Sequence, residues 1–197
     1  MLKRVQHDKL MDEQKLLDEI AEEIEKCKTC KVGKTGKPVP GEGDPNAEIV
    51  FIGEAPGRTE GETGRPFIGR SGQYLTKLIE SIGLNRSDVF ITSPVKYFPI
   101  KSGKGRAPTD AEIAHGRKHL LKQLVIIDPK LIILLGKVAS KAILKKDILV
   151  YLDHGKLLRE NGRTYFITYH PAAAIRFQKF KALIEQDFKL LKRLIKK

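Results

Sequence analysis

The stretch Ile49-Val-Phe-Ile52, running into Gly53-Glu-Ala-Pro-Gly-Arg-Thr-Glu-Gly-Glu-Thr-Gly-Arg-Pro-Phe67, decides the fold class. The apolar run reads as a short strand, and the residues after it as the loop at its carboxyl end. That is where α/β sheets place ligand sites. Glycines let the backbone approach a ligand closely and prolines stiffen the loop. A plain connector needs neither the glutamates nor the closing phenylalanine. The loop therefore reads as the wall of a pocket.

Upstream, residues 8 to 27 show helical spacing, with Leu10, Leu16, Leu17, Ile20 and Ile24 on one face. Lys31 to Asn46, rich in glycine, proline and lysine, is predicted as loop. Downstream, Ser71 to Ile82 has helical spacing and stops at Gly83, and Val89-Phe-Ile-Thr92 is a second strand. Lys101 to Pro108 reads as a basic loop. Thr109 with Glu112 makes a capping-box start for a helix to about Val125. Leu131 to Leu135 is continuously apolar, as in a strand buried on both faces, and Val138 to Leu144 follows as helix. Asn161-Gly162 signals a hairpin whose second arm, Tyr165-Phe-Ile167, leads to His170-Pro171. A last amphipathic helix spans about Phe180 to Ile195. Strands alternating with helices predict an α/β fold layered around a mostly parallel sheet.

The 197 residues suffice for one well-buried core, and no composition shift marks a second domain, so 1–197 is expected to be a single domain with the N-terminal helix packed on it. No apolar run approaches a membrane span and the start, Met1-Leu-Lys-Arg, lacks a signal-peptide core. A cytoplasmic location is expected. Lys and Arg total 37 against 24 Asp and Glu, a net charge of +13, with Arg58, Arg65, Arg70, Lys96, Lys101, Lys104 and Arg106 near the pocket segments. Such an excess is either a lysine-rich solvated surface or a face that tracks phosphates. Charge alone does not choose. The two cysteines, Cys27 and Cys30, offer half of a metal or cluster site, or a redox pair.

Three segments end strands in polar residues: Glu54 to Phe67, Thr92-Ser93 and His170-Pro171. Parallel strands would deliver all three to one sheet edge. Singly, His170 could be a capping or core histidine, Phe67 plain core, and Glu54 and Glu60 solvated loop charges. Their joint appearance at strand ends weighs against those readings.

Gly53-Glu-Ala-Pro-Gly57, Glu60 and Gly64-Arg-Pro-Phe-Ile-Gly69 resemble the first motif of the family 4, thermostable-type uracil-DNA glycosylases. His170-Pro-Ala-Ala-Ala174 resembles that family's second motif, and the likeness runs from about residue 15 to 190. It implies a three-layer α/β/α fold with a central, mostly parallel four-stranded sheet. It also implies a DNA-repair hydrolase that flips uracil out of DNA and cleaves its N-glycosidic bond, leaving an abasic site. By the same resemblance, Phe67 stacks on the base and His170 faces the pyrimidine O2. Glu54, with the turn at Ala55, positions the attacking water. Glu60 sits at the pocket, and Ser93 occupies the position that reads the uracil amide edge. Arg70 and Lys96 belong to the expected DNA-binding face. Ala172 to Arg176 is the loop entering the minor groove, with Ile175 and Arg176 as wedge. DNA, single- or double-stranded, is the expected partner of a monomer.

Two positions depart from the family pattern. Ser93 stands where the family carries asparagine, which leaves a shifted base preference such as hypoxanthine, or a weakly active DNA-binding relative, as alternatives. Tyr97 and Gly116 stand where the family has the later two of four 4Fe-4S cysteines. No cluster is expected, and Cys27 and Cys30 read as its remnants. His115 with Tyr97 would be an unusual completion; Tyr97 and Phe98 are expected to fill the space. A phosphate-binding α/β enzyme is disfavoured, because the loop lacks the glycine patterns of those families.

Overall fold

The computed structural model describes residues 2–146 and 148–195, with side chains from Asp12 onward. The side chain of Leu10 and the chain ends lie outside the described residues. The chain opens with α1 (Leu2–Lys26), the one-turn α2 (Lys28–Lys31), β1 (Lys34–Thr35), β2 (Glu42–Gly43) and β3 (Ile49–Ile52). Next come α3 (Arg58–Thr63), α4 (Arg70–Ser81), β4 (Phe90–Thr92), β5 (Phe98–Lys101), β6 (Lys104–Gly105) and α5 (Asp110–Ile127). The last third holds β7 (Leu131–Leu135), α6 (Gly136–Leu144), α7 (Val150–Asp153), β8 (Leu157–Glu160), β9 (Arg163–Thr168), α8 (Pro171–Arg176) and α9 (Lys179–Ile195).

The main sheet runs β2-β4-β3-β7-β9-β8. Its centre is the expected set of four parallel strands, β4, β3, β7 and β9. Antiparallel β2 and β8 extend it to six strands. Every residue of β3 and β7 is buried, as continuous apolar runs in a covered sheet require. One face packs Val50, Ile52, Ile132 and Leu134 against Leu120, Leu124 and Ile143 of α5 and α6. The other packs Phe51, Ile91, Ile133 and Phe166 against Leu75 and Ile79 of α4 and Ile184 and Phe188 of α9. This alternation of sides along each strand produces the three layers.

Local signals hold where the chemistry is local. Thr109 and Glu112 cap α5 reciprocally, and Asn161 and Gly162 adopt φ of 52° and 74° in the β8–β9 turn. On α1, Leu17, Ile20 and Ile24 are buried, but Leu16 is 44% exposed at the rim of its face. Two predicted loops are corrected. Lys31 to Asn46 contains β1 and β2, and Lys101 to Pro108 contains the β5–β6 turn and β6, with β5 pairing both β1 and β6 in a small second sheet. Two-residue strands carry no periodicity; their partners alone make them strands. The segment Ala172 to Arg176, expected as a loop, is helical within α8, with Pro171 at its first turn. Among the described residues, no helix is long and apolar enough to cross a membrane.

Candidate active site

The carboxyl ends of β3, β4 and β9 open on one pocket of about 590 Å³, lined by Glu54, Phe67, Ser93 and His170 among others. Ala55, Glu60, Ala172 and Arg176 also line it, so most of the expected site residues meet there. Parallel pairing is the cause: the three strand ends must emerge on the same sheet edge. Arg70 and Ile175 line a neighbouring groove between α4, α8 and α9.

Phe67 adopts φ of 49°, a left-handed conformation uncommon for a bulky residue and typical of over-determined functional positions. Three features hold it there. Arg86 donates to the carbonyls of Pro66 (2.5 Å) and Phe67 (3.2 Å). Gly72 of α4 lies so close that a Cβ would fall 1.9 Å from the Phe67 carbonyl carbon. Glu60 accepts from the backbone N–H of Ile68 (3.0 Å), Gly69 (2.8 Å) and Gly57 (3.1 Å). The ring then lies over the Gly53 backbone, where a Cβ would sit 2.4 Å from its Cζ, and 5.5 Å from the His170 ring centroid.

Glu60 was expected at the base. It lines the pocket, and its two oxygens accept the loop's own N–H groups. Glu60→Gln replaces one acceptor by an amide that faces the Gly57 N–H donor to donor. A loss of about 1 kcal/mol in stability is expected, read as the urea midpoint, because a half-buried N–H loses its partner. An unchanged midpoint would show that the clamp is unnecessary.

His170 caps α8, with Nδ1 accepting the Ala172 N–H at 3.1 Å. That bond assigns the proton of the neutral ring to Nε2, the nitrogen on the Gly53 side of the pocket. Burial pushes His170 down to about 4, against the opposing pull of the Glu60 charge. The ring is therefore a neutral Nε2–H donor near pH 7. Glu54 is half-buried with no hydrogen-bond partner among the described residues, and desolvation raises its carboxyl above the ordinary range. Ser93 is buried and donates its hydroxyl to the Val95 carbonyl at 2.8 Å.

The sequence comparisons fit this geometry. The family profile described as "Uracil DNA glycosylase superfamily" matches residues 40–192. The type-4 uracil-DNA glycosylase of Saccharolobus solfataricus is 41% identical over 89% of this chain and 85% of its own length. That of Sulfurisphaera tokodaii is 39% identical, covering 90% and 84%, and that of Archaeoglobus fulgidus 38%, covering 88% and 90%. The chain belongs to the type-4 uracil-DNA glycosylases.

Among the predicted residues of this type-4 glycosylase, Lys96 is misplaced. It is 1% exposed and donates to the Pro40 carbonyl (2.9 Å), Thr92 Oγ1 (2.7 Å) and Gln123 Oε1 (2.8 Å), so it cannot meet a phosphate. Burial pushes its ammonium down to about 7. Sequence reasoning missed Phe98 and Pro99 as pocket walls and gave Arg106 no site role. Phe98 and Pro99 arrive on the small second sheet and Arg106 just past it, and that sheet had no signal of its own. Arg86 was missed too; it lies outside both motifs and meets the loop through the carbonyls of Pro66 and Phe67.

The residues present do not fit a four-thiolate iron–sulfur cluster. Tyr97 is buried and donates its hydroxyl to the Ile24 carbonyl at 3.4 Å. A Cβ on Gly116 would fall 2.0 Å from the Pro94 carbonyl oxygen, so no longer side chain has room there. Cys27 and Cys30 lie instead beside His115 and His119.

Proposed function

We propose that this chain, as one catalytic domain, removes uracil from DNA by flipping the nucleotide into the 590 Å³ pocket and hydrolysing its N-glycosidic bond. The observation that carries this reading is the convergence of a neutral imidazole donor, an aromatic ring and a desolvated carboxylate on that one pocket. Uracil stacks on Phe67. As the C1′–N1 bond breaks, negative charge grows on the base and positive charge on the sugar. His170 Nε2–H donates to O2 and stabilises the leaving anion, as an oxyanion hole does. Glu54, beside the Ala55-Pro56-Gly57 turn, orients a water whose oxygen adds at C1′ and takes up its proton. The departing uracil anion is protonated by solvent. Arg176 at the pocket and Arg70 on the neighbouring groove, both exposed, contact phosphates, and Ile175, 41% exposed on α8, holds the gap in a duplex.

The Ser93 geometry supports a second reading within the same chemistry. With its proton given to Val95, Ser93 Oγ can only accept. It can receive the uracil N3–H but cannot donate to O4, so discrimination at that edge is incomplete and another base could be preferred. The test is single-turnover release from oligonucleotides carrying uracil, hypoxanthine, xanthine or a thymine mismatch, with Ser93→Asn alongside. Uracil is expected to be released fastest, and Ser93→Asn to improve uracil over hypoxanthine by about tenfold, the worth of one added hydrogen bond. Faster hypoxanthine release by the unaltered chain would establish the second reading. Binding of uracil DNA without release would sink both.

A further inference from the structure

We infer that Cys27, Cys30, His115 and His119 form a closed, structural zinc site. The inference is independent of the glycosylase reading. Cys27 caps the one-turn α2, and the Cys30 N–H donates to Cys27 Sγ at 3.4 Å, which turns both thiols to one side. His115 and His119, four apart on α5, share a helix face, with ring centroids 6.0 Å apart. One ligand atom from each residue lies within 4.8 Å of the other three, and Cys27 Sγ is 3.2 Å from His115 Nε2.

Those separations suit one ion. Zinc bonds of about 2.0–2.3 Å to nitrogen and sulfur imply ligand-to-ligand edges of roughly 3.3–3.8 Å in a tetrahedron. A multi-iron cluster hangs its ligands on separate irons and needs them wider apart. Two thiols and two imidazoles are also the donor set that zinc takes in structural sites.

His119 bears on which ring nitrogen would face the ion. It is 9% exposed, and its Nδ1 is buried with no hydrogen bond. Such an atom is costly unless something satisfies the ring. A metal on one ring nitrogen would leave the other as an N–H donor. Glu23 Oε2, 3.7 Å from Nδ1, is the carboxylate placed to receive it.

The site would tie the end of α1 to α5, and with them a wall of the pocket. Gly33, just past α2, accepts from the Ile100 N–H and from Arg106 Nη2, both at 3.1 Å. With β1 pairing β5, this anchors the small sheet that carries Phe98 and leads into Arg106. All four positions are filled by protein, so the ion has no open place for substrate.

The test uses the full chain purified without chelators, with metal analysis, acid-labile sulfide and an absorption spectrum. About one zinc per chain and no iron are expected. His119→Ala and Cys27→Ser should each lower bound zinc about tenfold and lower the melting temperature. Cobalt added to metal-free protein should produce thiolate-to-cobalt charge-transfer absorption. That spectrum decides the matter even if both variants fail to fold. About four irons with sulfide per chain would overturn the inference in favour of a cluster. No bound metal and no cobalt spectrum would overturn it outright.

Discussion

His170→Ala is expected to slow single-turnover uracil release about 10²- to 10³-fold, the usual cost of removing one preorganised donor to a developing anion. Binding of uracil-containing DNA should change far less, since the bond to O2 strengthens only as the base leaves. The donor is set before substrate arrives: Nδ1 is occupied by the Ala172 N–H, and the ring is held down at about 4 by burial. Two pH results follow. The rate should show no histidine titration between about pH 6 and 8, because the folded ring is already neutral there. Stability should behave in the opposite direction from a paired histidine. The folded value lies below the unfolded one of about 6.5, so the unfolded chain binds the proton first. The contribution of His170 is thus full above about pH 6.5 and is lost as pH falls toward 4. A rate that halves across an ordinary histidine titration, or a His170→Ala protein of near-full activity, would remove His170 from the proposed role.

Glu54→Gln is expected to cost about 10²- to 10⁴-fold in rate, the range for a positioned general base. It should also make the fold more stable. The carboxyl is half-buried without a protein hydrogen bond, and its raised pKa means that the folded state pays to keep the charge. For a carboxyl raised in the folded state, the folded chain holds the proton longer, so stability falls as pH rises from the unfolded value of about 4.3 through the raised one. Glutamine removes that loss. The two measurements together separate the proposal from a simple structural defect: melting temperature up, single-turnover rate down. A slower and less stable variant would mean that Glu54 supports the loop rather than the water. The acid limb of the rate profile should sit above the ordinary glutamate range and vanish in Glu54→Gln.

The chemistry at the strand ends was legible because it depends on short-range patterns and one topological rule. Ile49–Ile52 and Leu131–Leu135 announce parallel strands by continuous apolarity, and parallel pairing then sends Glu54, Ser93 and His170 to the same edge. Capping and turn signals at Thr109 and Asn161 are equally local, since each is met within three residues. What sequence could not show were partners fixed by packing. Lys96 is the same residue type as the surface lysines, yet the fold encloses it among Pro40, Thr92 and Gln123. Glu60 lies in the pocket motif, but the fold of its own loop brings Ile68 and Gly69 back onto its carboxylate.

Sequence by itself determined the layered sheet, the edge that carries the pocket, and membership in a glycosylase family. Tertiary structure alone decided which polar groups are free to act there. It also joined Cys27 to His115 across 88 positions of chain, through the packing of α1 and α2 against α5. The reason is physical. Backbone conformation follows from neighbours a few residues away, whereas the partner of a charge, a thiol or an imidazole is whatever the packed core brings within about 3 Å of it.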